Sequence, residues 1–198
     1  MIRRRVSAYL VFAGCLAFAQ PQPVRSLIIA PPAPRTALET FLARRDGMIG
    51  EESHFVGRVA GSDGRLATLE TLVLFQPGKE GPRLQGVRIQ LTGGRATAAE
   101  DNTALVDLNE LDGLAKALNS MIAAISDWQG SNREHTEMVF TTQGDLQVGF
   151  SITSGRIEAF VKTGPPGATI TAVIDPVRFS TMKDLLDQAR QYLATPRH

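Results

Sequence analysis

The sequence predicts an α+β fold, mostly antiparallel sheet with two long helices, arranged as a duplicated ββββα unit with pseudo-twofold symmetry. Three observations carry this. Most of the chain alternates apolar and polar residues with period two. Two segments change to the 3.6-residue period of an amphipathic helix. Finally, the junctions into those helices match: Thr103 to Asp107 reads TALVD and Thr171 to Asp175 reads TAVID, sixty-eight residues later.

The first nineteen residues read as a secretory signal peptide. Arg3, Arg4 and Arg5 precede an apolar run from Val6 to Ala19 that ends in Ala17, Phe18 and Ala19. A basic start, a short apolar core and small residues at −3 and −1 are what the export machinery and its peptidase recognise. The run falls short of the ~20 residues a membrane-crossing helix needs. A second reading rests on Cys15: Phe12, Ala13, Gly14 and Cys15 form a degenerate lipobox, which would make Cys15 a lipid anchor. Phe12 stands where Leu is usual and the residues after Cys15 stay apolar, so the ordinary signal is favoured.

Cleavage after Ala19 leaves 179 residues with 18 basic and 20 acidic side chains, and it removes the only cysteine. No disulfide, thiolate nucleophile or cysteine metal ligand is then expected. With no Asn-x-Ser/Thr sequon in the chain, this points to a bacterial periplasm or exterior.

Residues 20–35 hold prolines at 21, 23, 31, 32 and 34 and read as an extended leader, with room for one edge strand at 24–30. Residues 36–198 are expected to form a single α+β domain with half-repeats at about 54–128 and 136–194. From Thr36 to Met48 the spacing of Leu38, Phe41, Leu42 and Met48 suits a short helix, or a strand. Strands are expected at 54–60, 66–75, 83–91 and 103–107 in the first half, and at 136–142, 145–152, 156–163 and 168–174 in the second. Val87, Ile89 and Leu91 alternate with Arg88 and Gln90, as Val148, Phe150 and Ile152 do with Gly149 and Ser151. Pro77-Gly78, Gly93-Gly94, Gly144-Asp145 and Ser154-Gly155 supply turns.

The first helix follows Asp107, with its stripe at Leu111, Leu114, Leu118, Met121, Ile122 and Ile125. Asp107 is its expected cap, with Glu110 completing a capping box. The second follows Asp175 as cap and Pro176 at the first helical position, with its stripe at Phe179, Met182, Leu185, Leu186, Ala189 and Leu193. The two stripes coincide at the same offset. The halves are expected either as two sheet-and-helix units or as one continuous antiparallel sheet with both helices on one face. In element order, the doubled plan resembles the whirly-type single-strand nucleic-acid binders, a resemblance that implies nucleic-acid binding. The basic stripe with interleaved aromatics that single-strand binding uses is missing from this chain, so no nucleic-acid partner is expected.

Standard chemistries lack their parts. The chain holds no phosphate loop, dinucleotide fingerprint, nucleophile elbow or His-Glu-x-x-His helix, and no cofactor or metal is expected. His54 and His135 are the two general-base candidates; His198 is terminal. A catalytic reading pairs one of them with Ser53 or Ser151 and with Asp145, whereas the plain reading leaves each as an exposed residue at a strand end. The carboxylate groups Glu51-Glu52, Glu100-Asp101, Asp107-Glu110-Asp112 and Asp184-Asp187 read as caps and solvated faces, although Glu100-Asp101 could meet a calcium ion. Trp128 reads as the aromatic that closes the core beneath the first helix, and Arg44-Arg45-Asp46 as a solvated patch. With no catalytic residue assigned, the sequence favours an exported non-catalytic domain binding a protein or cell-envelope polymer; a small exported hydrolase is the alternative.

Overall fold

The computed structural model describes residues 36–195, apart from 46, 79–80, 82, 94–100, 132 and 166. The signal, the leader and Cys15 lie outside the described residues. The described chain forms two antiparallel four-stranded sheets with helices. A short helix α1 (Ala37–Leu42) comes first. The first sheet follows in chain order: β1 (Gly50–Ala60), β2 (Arg65–Phe75), β3 (Leu84–Gly93) and β4 (Asn102–Asp107). After one 3₁₀ turn comes α2 (Leu111–Trp128). The second sheet is β5 (His135–Thr141), β6 (Gln147–Thr153), β7 (Arg156–Thr163) and β8 (Ile170–Ile174), followed by α3 (Arg178–Ala194). The expectation of one continuous sheet is therefore overturned: no strand of β1 to β4 pairs with one of β5 to β8.

The period-two runs explain the faces. In β2 and β3, Leu69, Thr71, Val87 and Ile89 point inward and are buried, while Thr68, Glu70, Arg88 and Gln90 occupy the outer face. In the second sheet the inward row crosses Met138, Phe150, Ala159 and Ile174. One core joins the inner faces of both sheets with the stripes of α2 and α3. Each long helix packs on the sheet of the other half, α2 against β5 and β6, α3 against β1 and β2. Gly57 makes room for α3, since a Cβ there would fall 2.5 Å from a Leu185 methyl.

The hairpin turns tie the sheets together at corresponding places. The β1–β2 turn caps the outer edge of β8: the Ser62 N–H donates to the Val173 carbonyl at 2.7 Å, and Asp63 accepts from the Val173 N–H at 3.5 Å. The β5–β6 turn meets β4 at Leu105, where a Cβ on Gly144 would collide with the carbonyl oxygen. Leu105 and Val173 are counterparts in TALVD and TAVID. Burial pushes the pKa of Asp63 up, but hydrogen bonds from the Arg65 N–H, the Arg65 guanidinium and the Val173 N–H outweigh it, so the carboxyl lies below its ordinary 3.8.

One expected cap holds and the other is corrected. Asp107 caps the 3₁₀ turn that leads into α2, with the expected capping box to Glu110, and the same carboxylate also accepts from the N–H groups of Ala37 (2.6 Å) and Leu38 (3.1 Å) at the start of α1. Glu110 returns the box by accepting from the Asp107 N–H at 3.3 Å, and it also accepts from the Gln143 N–H at 2.8 Å. Asp175 does not cap α3 directly. Its carboxylate accepts from the Val177 N–H at 3.0 Å in a turn that delays the helix to Arg178. The short helix expected from Thr36 stops at Leu42; it seats Leu38 and Phe41 on Leu72, Leu74 and Leu105, covering one end of the outer face of β2 to β4.

Candidate functional site

Two hollows lie at the two ends of the α2–α3 pair, and they differ in chemistry. The first begins where the last turn of α3 passes over β1. Glu52 and His54 point toward the helix side of β1, and the His54 ring stacks on Tyr192 with centroids 4.0 Å apart and planes 7° from parallel. Arg83 donates to Glu52 at 2.7 Å, with its guanidinium carbon 4.8 Å from the centre of the Phe75 ring. Val73, Gln85, Tyr192 and Leu193 complete a hollow of about 250 Å³. Through Gln85, Leu193 and Ala194 it continues into a second space of about 380 Å³, bounded by Leu108, Asn109, Asp112 and Arg190.

Arg190 is held in place from two sides. It donates to Asp187 on its own helix at 3.1 Å and pairs with Asp112 on α2. Asp187 in turn accepts from Lys183 at 2.7 Å. The hydrogen bond from Lys183 lowers the Asp187 pKa; burial opposes it and Arg190 adds to the lowering. The same bond raises the pKa of Lys183. The i, i+4 and i, i+3 spacings of α3 thus build a charge relay that fixes one guanidinium at the groove.

The other end of the helix pair carries a hollow of about 520 Å³ lined mainly by Ile122, Ile125, Ile157, Pro176 and Val177, with Ser126, Gln129, Asp175 and Ser180. Its lining corresponds to the polar hollow position by position. Ile122, Ile125 and Ser126 stand sixty-eight residues before Arg190, Leu193 and Ala194, and Pro176, Val177 and Ser180 sixty-eight after Leu108, Asn109 and Asp112. Where one end has Arg190, Asn109 and Asp112, the other has Ile122, Val177 and Ser180.

The catalytic combinations considered from sequence are not brought together. Ser53 and His54 are successive residues of β1 and point to opposite faces. His135 sits at the start of β5, exposed, with Nδ1 3.4 Å from the Thr153 hydroxyl. Ser151 lies on the same outer face of that sheet, but Asp145 is in the turn beyond the far end of β5, about 20 Å along the strand from His135. Among the described residues, no three His, Cys, Asp or Glu side chains converge on a metal position. Glu100 lies outside the described residues and Asp101 is exposed. Glu51 pairs with Arg88 at 2.5 Å. Trp128 packs against the core, tilted on Phe150 at 5.8 Å, with Arg133 over its ring. Arg44 lies over the Phe41 ring and Asp46 is outside the described residues. None of the described helices is long and apolar enough to cross a membrane.

Sequence reasoning missed Gln85, Asn109, Arg190 and Tyr192. A signal for Asn109 and Arg190 lies in the sixty-eight-residue offset of the TALVD and TAVID junctions, at which they face the apolar Val177 and Ile122. No family model, curated protein or solved structure matches the chain.

Proposed function

We propose that this chain is an exported, non-catalytic binding domain, built by duplication of one ββββα unit, and that it holds a protein or cell-envelope polymer in the groove beside Tyr192. The basic, then apolar, then small-residue order of the first nineteen residues supports export. Duplication is supported by the repeated element order, the TALVD and TAVID junctions, and the docking of each hairpin turn on the counterpart residue of the other half.

The single observation that carries the binding reading is the polar groove, where hydrogen-bonding side chains from β1, β3, α2 and α3 converge on one open space. A single-strand nucleic-acid reading finds less support, because Arg88 on the open face of the first sheet is already shared between Glu51 and Glu70.

The test is retention of the labelled mature chain on fractionated cell envelopes, compared with Ala194→Trp, which places a bulky ring in the groove from an exposed position. Retention of the wild type, at least tenfold weaker for the variant and with no fragment released from the envelope, is the expected result. Equal retention of both proteins, no retention of either, or release of cleaved envelope material would overturn the reading.

A further inference from the structure

We infer that the groove beside Tyr192 takes a neutral, hydroxyl-rich ligand, a saccharide chain; this rests on the binding reading above and names its ligand. The argument starts from charge. The groove carries two cations and two anions, and they are paired with one another, Arg83 with Glu52 and Arg190 with Asp112. These charges cancel within the groove, so it offers an ionic ligand no net attraction and sets a counter-ion already in place against it. A neutral ligand leaves both pairs intact.

What the paired groups keep is hydrogen-bonding capacity. A guanidinium has five N–H donors and a carboxylate about four lone-pair sites, and one ion pair uses only part of either. Gln85 and Asn109 add a planar donor and acceptor each between the two pairs. Planar groups that offer donors and acceptors side by side match vicinal hydroxyls, each of which both donates and accepts. Between these polar groups run Val73, Tyr192, Leu193 and Leu108, a discontinuous apolar floor suited to the C–H faces of sugar rings. His54 is a positioning residue, because its stack on Tyr192 sets the plane of that floor. The two joined spaces form an elongated groove rather than a closed pocket, which suits several linked units.

The corresponding apolar hollow is the internal control. It has the same scaffold and the same helix ends, but Ile122 and Val177 replace the hydrogen-bonding Arg190 and Asn109. The saccharide is therefore expected at one end of the helix pair only.

The experiment titrates the isotope-labelled mature chain with chitohexaose, cellohexaose and maltohexaose, and with hexagalacturonate as an anionic counterpart, followed by amide chemical shifts and calorimetry. At least one neutral hexasaccharide should bind saturably, shifting Gln85, Asn109 and Tyr192, with affinity unchanged between low and high salt. Gln85→Ala and Asn109→Ala should each weaken binding about tenfold or more, whereas Val177→Ser at the other end should not. Thermal unfolding of each variant confirms that it is folded. The inference is overturned if no neutral hexasaccharide shifts the groove residues, if hexagalacturonate binds more tightly in a salt-sensitive way, or if the groove variants bind like wild type. Should envelope retention still depend on Ala194 in that case, the saccharide assignment falls and the binding reading stands.

Discussion

Replacing Asp107 with alanine separates two roles for one carboxylate. The residue follows a strand and caps the 3₁₀ turn that leads into α2, and its two oxygens also accept from Ala37 and Leu38 at the start of α1. Hydrogen bonds to a charged acceptor contribute ~1.5–3 kcal/mol each, and loss of an N-cap costs ~0.5–2 kcal/mol. The desolvation that the 8% exposed carboxylate itself suffers offsets part of this, leaving an expected loss of about 2–4 kcal/mol. That loss falls on α1 rather than on the whole fold. Ordering six residues costs ~1–2 kcal/mol each, while seating Leu38 and Phe41 returns only ~1.5–3 kcal/mol each, so the helix depends on the two N–H groups that Asp107 holds in addition to its own cap, Thr36, which accepts from the Glu39 N–H at 3.0 Å. Hydrogen exchange read by mass spectrometry should show the amides of residues 37–43 exchanging about 30- to 700-fold faster in Asp107→Ala, at about 1.4 kcal/mol per tenfold. Asp107→Asn, which retains one acceptor, should fall between. If residues 37–43 keep their protection while 108–114 lose theirs, the carboxylate serves α2 and this reasoning is wrong.

Two further perturbations test the ties between the sheets. Gly144→Ala drives a Cβ into the Leu105 carbonyl and must lift the β5–β6 turn away from β4, straining the Glu110–Gln143 bond; the expected cost is about 2–4 kcal/mol, read as a fall in Tm of about 5–15 °C. A Tm within a degree of wild type would show that the turn is not docked there. Asp63 has a depressed pKa in the folded state, so its contribution to stability is fully present above its unfolded value of 3.8 and is lost as pH falls through the folded value. Asp63→Asn should therefore be less stable than wild type at neutral pH, by about 1 kcal/mol, with the gap closing below pH 3.8 in urea unfolding. A gap that is constant with pH would remove the charge from the explanation.

How much of this was legible in the sequence depended on whether the signal was local. β2, β3 and β7 lie within two residues of their expected positions, because Leu69 and Ile89 alternate with polar neighbours and Ala159 and Val161 keep a period-two buried row in β7. The turn at Ser154-Gly155 was legible for the same kind of reason, since both residues have positive φ (50° and 77°) as a tight hairpin turn demands. β1 begins four residues earlier than its sequence suggested. Gly50 to Ser53 has no apolar alternation, and its pairing with Leu72 to Phe75 comes from the neighbouring strand. Asp175 shows the limit of cap rules, since its carboxylate meets the Val177 N–H in a turn rather than the helix itself, and Asp107, which does cap, takes two further orphan N–H groups from α1 that only tertiary packing brings near. The groove was invisible because Arg83–Glu52 and Arg190–Asp112 join residues 31 and 78 positions apart.

The crossed packing of the halves bears on how two unlike hollows could arise on one scaffold. Each helix covers the opposite sheet, so both ends of the helix pair are built from both halves: α3 closes the polar end over β1 to β3, and α2 the apolar end beside β7. Under duplication, the two ends begin as the same site. Selection for binding would then need only one of them, and two positions that differ in polarity at this offset, Arg190 against Ile122 and Asn109 against Val177, sit at the rims, whereas the core pairs Leu111 and Phe179 or Leu114 and Met182 remain apolar. Packing constrains the core pairs through cavity and strain costs, while the rim pairs are free to change because a side chain facing open space displaces only water. The changes at these two rim positions alter the lining of a hollow without touching the core pairs beneath it.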